Sequence, residues 1–299
     1  MTAWRIGETE ILRIPEQLGP NAMAPDAFFP GLDRALLDQH RAWLEPTYYD
    51  RAADRLISSI HSWLIRHNGR TILLDGCAGN HKNRPFNPRF HQLNTPFLER
   101  LAALGTTPEA VDMVLCTHLH ADHVGWNTRL LDGRGVPTFP NARYLFSRTE
   151  HDHWRPTAET PGPRAEVYAD SVLPVVEAGL VELLDGAAQL DTGLFVDPAP
   201  GHTPGRVVLR LQAPRQSALF CGDVVHHPLQ LYAPDMNSAF CECGPEARTT
   251  RRRVLEQCAD SGTLLFPTHF GPPHVAGVKR EGSAFAPDFA AGTAARSTP

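Results

Sequence analysis

A chain of 299 residues with 42% hydrophobic and 20% charged side chains and a formal net charge of −5 has the composition of an ordinary globular protein. It carries no global basic field to draw it to nucleic acid or to an anionic membrane. No apolar run reaches the roughly 18–20 residues of a membrane-spanning helix, and the opening Met1-Thr2-Ala3-Trp4-Arg5 lacks the basic and apolar regions of a secretory signal, so a cytoplasmic location is expected. Six cysteines at irregular spacing do not make a disulfide framework. Cys241-Glu242-Cys243 has no second pair at zinc-finger spacing and reads as reduced loop cysteines.

In chain order, residues 19–49 hold several prolines, the aromatics Phe28, Phe29, Trp43, Tyr48 and Tyr49, and a predicted helix over Gly31–Glu45. This arm is expected to cap a pocket, to pack on the core, or to meet a second copy in a homodimer. Ile60–Arg66 and Thr71–Asp75 are apolar, β-compatible runs joined by Asn68-Gly69, a strong hairpin signal. Thr95-Pro96 offers a cap and an N1 proline for a helix whose apolar face is Leu98, Leu101 and Leu104, closed by Gly105. Val111–Cys116 is predicted as a short buried strand that delivers the residues after it onto a loop held by a sheet.

Further strands are expected at Arg143–Phe146, Val181–Leu184, Leu194–Val196, Val207–Leu211, Ala218–Cys221 and Thr263–Phe266, with helices near Arg164–Gly179 and Thr249–Asp260. Arg251–Arg253, the one dense basic run, reads as a solvated helix face. Gly282–Pro299 is small and polar and reads as a loose tail, which leaves one domain over 1–281. The alternation of strands and helices implies an α/β or α+β class.

The chemistry is concentrated in seven residues. His118, His120, Asp122 and His123 form H-x-H-x-D-H within six positions, and His202, Asp223 and His269 each follow in a loop of their own. A structural zinc closes with four ligands and usually recruits cysteine, whereas catalytic sites use histidine and carboxylate and leave room for water. Seven such ligands suit two metals: His118, His120 and His202 for one, Asp122, His123 and His269 for the other, with Asp223 shared. Zinc is the expected metal, and manganese, iron or cobalt suit the same nitrogen and oxygen donors.

T-H-L-H-A-D-H-V-G-W (117–126), G-H-T-P-G (201–205), C-G-D-V-V-H (221–226) and F-P-T-H-F-G (266–271) together resemble the metallo-β-lactamase superfamily over about residues 60–279. The resemblance implies a four-layer αβ/βα sandwich and hydrolysis by a hydroxide held between two metals, with Asp122 as a ligand that also carries a proton. Within the superfamily, Leu74-Asp75-Gly76-Cys77, Gly79-Asn80, the T-H-L-H-A-D-H-V-G-W-N run and the N-terminal arm are most similar to the branch of quorum-quenching lactonases and methyl parathion hydrolase. That implies a small ester or lactone substrate, such as an N-acyl homoserine lactone, with a phosphotriester as the alternative and thioester hydrolysis or non-hydrolytic metal binding as lesser ones. It also places Trp154 at the substrate. Where those lactonases carry a tyrosine three residues after the bridging aspartate, this chain has His226, expected to face substrate or to support the metal ligands.

Overall fold

Period-two alternation along the strands sends neighbouring side chains into different cores, and this builds the layers of the protein. The computed structural model describes residues 3–297. One sheet runs in spatial order Val181–Leu184, Arg143–Ser147, Met113–Leu115, Arg70–Leu74, Arg55–His67, Thr9–Pro20, Ala3–Ile6 and Arg296–Ser297, with Tyr49–Asp50 pairing beside Arg55–His67. The other runs Ala188–Asp191, Leu194–Pro198, Val207–Gln212, Ser217–Gly222 and Leu264–Pro267. Ile72, Leu74, Met113, Leu115 and Leu145 of the first share a central core with Leu209, Leu211, Phe220 and Phe266 of the second. Their neighbours Leu73, Val114, Tyr144 and Phe146 point the opposite way, onto Phe97, Leu101, Val172 and Val175. On the second sheet Val208, Leu219 and Leu265 turn outward onto Val254, Leu255 and Cys258 of the helix Gly244–Ser261. The result is helix, sheet, sheet, helix, the four-layer mixed α/β sandwich expected from the resemblance.

Several expectations need correction. The helix expected over Gly31–Glu45 is two short pieces, Ala35–Gln39 and Arg41–Leu44. His40 between them leaves helical geometry at φ −101°, ψ 11°. Arg164–Gly179 is helical but changes gauge: Pro163–Val167 is α, Tyr168–Val172 widens to a π turn, and Leu173–Glu177 is α again. Pro174 has no N–H to give the carbonyl of Asp170, and that carbonyl is taken instead by Lys82 Nζ at 3.0 Å and by the Thr128 hydroxyl. The helix after Thr95 spans Phe97–Ala103 without a side-chain cap, because Thr95 is held by Asn80 through both its N–H and its hydroxyl.

The basic run is not a solvated face. Arg251 is buried, donating to the carbonyls of Val224 (2.8 Å) and Pro234 (2.8 Å), while Arg252 pairs with Asp235. The loose tail expected over 282–299 is, as far as the described residues go, the strand Ala284–Asp288, the helix Phe289–Ala294 and the strand Arg296–Ser297. Phe285 is buried in the outer core, and the carbonyl of Gly292 accepts a hydrogen bond from Trp4 Nε1 at 3.0 Å. Gly292 leaves room for this packing, since a Cβ there would lie 2.0 Å from the carbonyl of Val275. Residues 298 and 299 lie outside the described residues.

Candidate metal centre

Strands ending on the same side of the sandwich deliver the seven residues to one place. His118 follows Met113–Leu115, His202 follows Leu194–Pro198, Asp223 follows Ser217–Gly222, and His269 follows Leu264–Pro267. Asp122 and His123 come from the single helical turn Ala121–Val124 that closes the motif loop. Ligand sites at the carboxyl ends of strands are the general pattern of open α/β sheets.

The donor atoms fall into two groups, His118, His120, His202 and Asp223 in one, Asp122, His123 and His269 in the other. In the first, His118 Nε2 and His202 Nε2 each lie 3.0 Å from His120 Nδ1. Asp223 faces both groups: its Oδ2 is 3.3 Å from His202 Nε2 and 3.8 Å from His118 Nε2, and its Oδ1 is 2.9 Å from His269 Nε2 and 3.2 Å from His123 Nε2. Asp122 closes the second group, with Oδ2 3.7 Å from His269 Nε2 and Oδ1 3.8 Å from His123 Nε2.

The far sides of the rings show why the near sides converge. Thr117 gives its hydroxyl proton to Asp75 Oδ2 (3.0 Å), so its oxygen accepts from His118 Nδ1 (3.1 Å). His123 Nδ1 donates to Asp75 Oδ2 at 2.9 Å, and His269 Nδ1 to the carbonyl of Ser59 at 3.0 Å. A proton fixed on Nδ1 leaves Nε2 as a lone pair aimed inward, the ligating tautomer. His123 Nε2 and Asp223 Oδ1 are buried yet make no hydrogen bond among the described residues. Buried polar atoms that crowd one another without bonding are costly, and a shared cation resolves them. The residues therefore fit a pair of divalent metals.

Electrostatics agree with this arrangement. Burial holds the imidazoles of His118 and His202 well below their ordinary pKa and that of His120 down to about 4, so these rings are neutral and free to ligate. Burial alone would also lower His123 and His269, but the carboxylates outweigh it, chiefly Asp223, and both are pushed up, so a metal there takes the place of their Nε2 protons. At Asp223 burial, which would raise the carboxyl, is overcome by His269, His123 and His226, and it is held well below the carboxylate range. This concentration of negative charge attracts cations.

The centre forms the floor of an open cavity of about 570 Å³. Its walls are largely apolar, with Phe28 from the N-terminal arm, Ile60, Phe86, Phe90 and Phe240 among them. The arm thus does two of the three things expected of it: Phe29, Leu37 and Leu44 pack on the outer face of the second sheet, and Asn21, Met23 and Phe28 line the cavity. Trp154 also lines it, its ring edge-on to His120 at 5.5 Å and its Nε1 donating to Glu150 at 2.9 Å. His226 stands beside the centre, with Nε2 3.2 Å from Asp223 Oδ2 and 3.3 Å from Ser238 Oγ, and a buried Nδ1 without a hydrogen-bond partner. Cys241 Sγ lies 3.7 Å from His202 Nδ1.

Three further buried carboxylates, Asp75, Glu150 and Glu16, hold the floor together. Asp75 binds Thr117 and His123 as above. Glu150 accepts from Leu119 N (3.1 Å), Thr203 Oγ1 (2.7 Å), Gly205 N (3.0 Å) and Trp154 Nε1, and so ties the H-x-H loop to the G-H-T-P-G loop. The last glycine of that loop is required by the contact, since a Cβ on Gly205 would sit 2.0 Å from Glu150 N. Glu16, far away in sequence, accepts from Ala78 N, Gly79 N and Trp126 Nε1. Asp75 carried a local signal, an acidic residue at the end of an apolar strand; Glu16 and Glu150 carried none.

The family description Metallo-beta-lactamase superfamily matches residues 57–269. Among curated relatives, the hydroxyacylglutathione hydrolase of Synechococcus sp. (strain JA-2-3B'a(2-13)) is 32% identical over 130 residues, covering 44% of this chain and 40% of that protein. The chain thus aligns with less than half the length of that relative. Among solved structures, hydrolase AbOPH in beta lactamase superfamily has a TM-score of 0.78 at 24% identity, covering 96% of both chains. AidC, a dizinc quorum-quenching lactonase in complex with a product, N-hexnoyl-L-homoserine, has a TM-score of 0.74 at 21% identity, covering 95% of both. At these identities the two structures establish the likeness of fold. No helix among the described residues is long and apolar enough to cross a membrane.

Proposed function

This chain belongs to the metallo-beta-lactamase superfamily, and we propose that it is a dinuclear metal-dependent lactonase or esterase, acting on an N-acyl homoserine lactone or a related small lactone or ester. The observation that carries the reading is the division of Asp223, one oxygen towards His118 and His202 and the other towards His123 and His269, at the floor of an open cavity with apolar walls. His118, His120, His202 and Asp223 would hold one metal, and Asp122, His123, His269 and Asp223 the other. When bound, the pair supplies Lewis-acid polarisation of the carbonyl and a water acidic enough to attack near neutral pH.

The chain's own residues do the rest. Phe28, Ile60, Phe90 and Phe240 receive the acyl chain and exclude bulk water. Trp154, locked by Glu150, limits how the scissile group approaches His120. Asp122, only half-buried and open to the cavity, takes the proton from the attacking water at a carboxylate oxygen and returns it to the leaving alkoxide. His226, beside Asp223 at the cavity floor, would face the substrate or support the metal ligands. The net reaction adds water across the acyl C–O bond, giving a carboxylic acid and an alcohol.

Two other substrates suit the same floor. Thioester hydrolysis is favoured by the match to a hydroxyacylglutathione hydrolase, and phosphotriester hydrolysis by the metal pair itself. Zinc-loaded protein assayed on a long-chain acyl-homoserine lactone, a δ-lactone, an aryl ester, a phosphotriester and a glutathione thioester separates them. The reading expects kcat/KM highest on a lactone or the aryl ester; a thioester or phosphotriester maximum would replace it.

A further inference from the structure

The cavity contains two guanidinium groups, and they are treated differently. Arg164 is paired with the carboxylate of Glu242 at 2.8 Å and lies over the ring of Trp154. Among the described residues Arg89 has no carboxylate partner. Its Nε donates to Gln17 Oε1 (3.3 Å), its Nη1 to Asn21 Oδ1 and to Ser58 Oγ (2.7 Å), and its Nη2 to the carbonyl of Ser58 (2.6 Å). All four acceptors are neutral, and four acceptors for five N–H groups leave one N–H on Nη2 without a partner. Glu16 and Asp122 act on Arg89 only through space, and burial still outweighs them, bringing its pKa down to about 10.

Arg89 is half-buried on the cavity wall, and a guanidinium held only by neutral acceptors keeps its charge available to an anionic occupant. Around it Asn21, Ser58, Asn87 and Arg89 add polar groups to a wall that also carries Phe28, Ile60, Phe86 and Phe90, apart from the polar floor residues and the Arg164–Glu242 pair. This corner is also fixed relative to the metal centre. Arg89 grips Ser58, and the next residue, Ser59, holds the ring of His269. The free N–H on Nη2 can give a carboxylate one charge-assisted hydrogen bond.

We propose that Arg89 is the specificity-determining residue of this cavity and receives a carboxylate carried on the acyl part of the substrate. This rests on the hydrolase reading for the scissile bond only. The acyl group enters with its anionic end in the Arg89 corner and its methylenes along the apolar wall, which brings its carbonyl over the floor. Arg89 thus sets which acyl group is productive and takes no part in bond breaking.

The test compares two esters of the same chain length in the zinc-loaded protein, phenyl hexanoate and the monophenyl ester of adipic acid, together with calorimetric binding of adipic acid monoanilide, whose amide resists hydrolysis. The wild type should prefer the anionic ester by about tenfold in kcat/KM, mostly through KM. Arg89→Met should abolish that preference and the binding of the anilide, and Arg89→Lys should restore part of both. A wild type that does not favour the anionic ester, or an Arg89→Met variant that loses both esters in equal proportion, would overturn the proposal and show Arg89 to be a structural clamp. If neither ester is hydrolysed, binding of the anilide that depends on Arg89 keeps the anion site while the hydrolase reading fails; no binding removes the site as well.

Discussion

His118, Asp223 and His269 leave the ends of buried strands, and His118, His123 and His269 are gripped from behind by Thr117, Asp75 and the carbonyl of Ser59. The cavity walls above them come from other material: the N-terminal arm, the stretch around Phe86–Phe90, and the Ala239–Glu242 loop. The floor is placed by sheet register and by charges that cannot move, so its chemistry is fixed before any substrate arrives. The walls draw on the arm and loops, with Ile60 from a strand and Trp154 from a helix, and they shape the space above the floor. Common chemistry with variable substrate choice follows from that division.

The largest effect should come from breaking the floor at its shared carboxylate. Asp223→Ala removes the group common to both halves and should lower kcat/KM by about 10³-fold or more; steady-state kinetics on the best substrate measures this, and near-normal turnover would break the distinction between floor and walls. A step back, Asp75→Ala leaves every proposed ligand in place but frees His123 and Thr117. It should weaken zinc affinity by roughly 10–100-fold, read by competition with a chromogenic chelator.

His226 belongs to both regions. His226→Ala should lower turnover by about tenfold while zinc content stays at the wild-type level, because its contact with Asp223 is one of several. Loss of metal along with turnover would move His226 into the floor, and no change in either would remove it from the site.

The smallest effect concerns how the Arg89 stretch is anchored. Lys82 donates to Thr128 Oγ1 at 2.6 Å and to the carbonyl of Asp170, and burial brings its pKa down to about 8. The folded protein then releases this proton near pH 8, while the unfolded chain keeps it up to the ordinary lysine value of about 10.4. Within that window the unfolded state binds more protons, so this group's contribution to stability rises with pH. Between pH 7.5 and 9.5 the urea midpoint of wild type should shift upward relative to that of Lys82→Met. The same pH response in both proteins would contradict the assignment.

The same division explains what could be read from the chain. H-x-H-x-D-H, Asp223 and His269 were legible because short strands with period-two patterns lead straight into them, and ligand chemistry restricts which residue types can serve. The hairpin at Asn68-Gly69 and the central strands were legible for a related reason, local pattern and turn chemistry agreeing. Glu16 was not, because its partners Ala78, Gly79 and Trp126 meet it only once the first sheet is assembled. Arg251 read as solvent-facing because a run of three arginines says nothing about which of them meets the carbonyls of Val224 and Pro234. The C-terminal stretch read as a tail because small residues look unstructured in isolation, yet they are what lets Gly292 approach Val275 and receive Trp4. Pro174 was visible in the sequence, but the freed carbonyl of Asp170 mattered only once Lys82 and Thr128 were seen beside it.

The most direct test of the account is the number of zinc ions bound per chain, by equilibrium dialysis of metal-free wild-type protein followed by elemental analysis. Two equivalents per chain, with Asp223→Ala retaining one or none, is the result predicted from a carboxylate that faces both ligand groups. One equivalent or none in the wild type would contradict the dinuclear centre on which the rest depends.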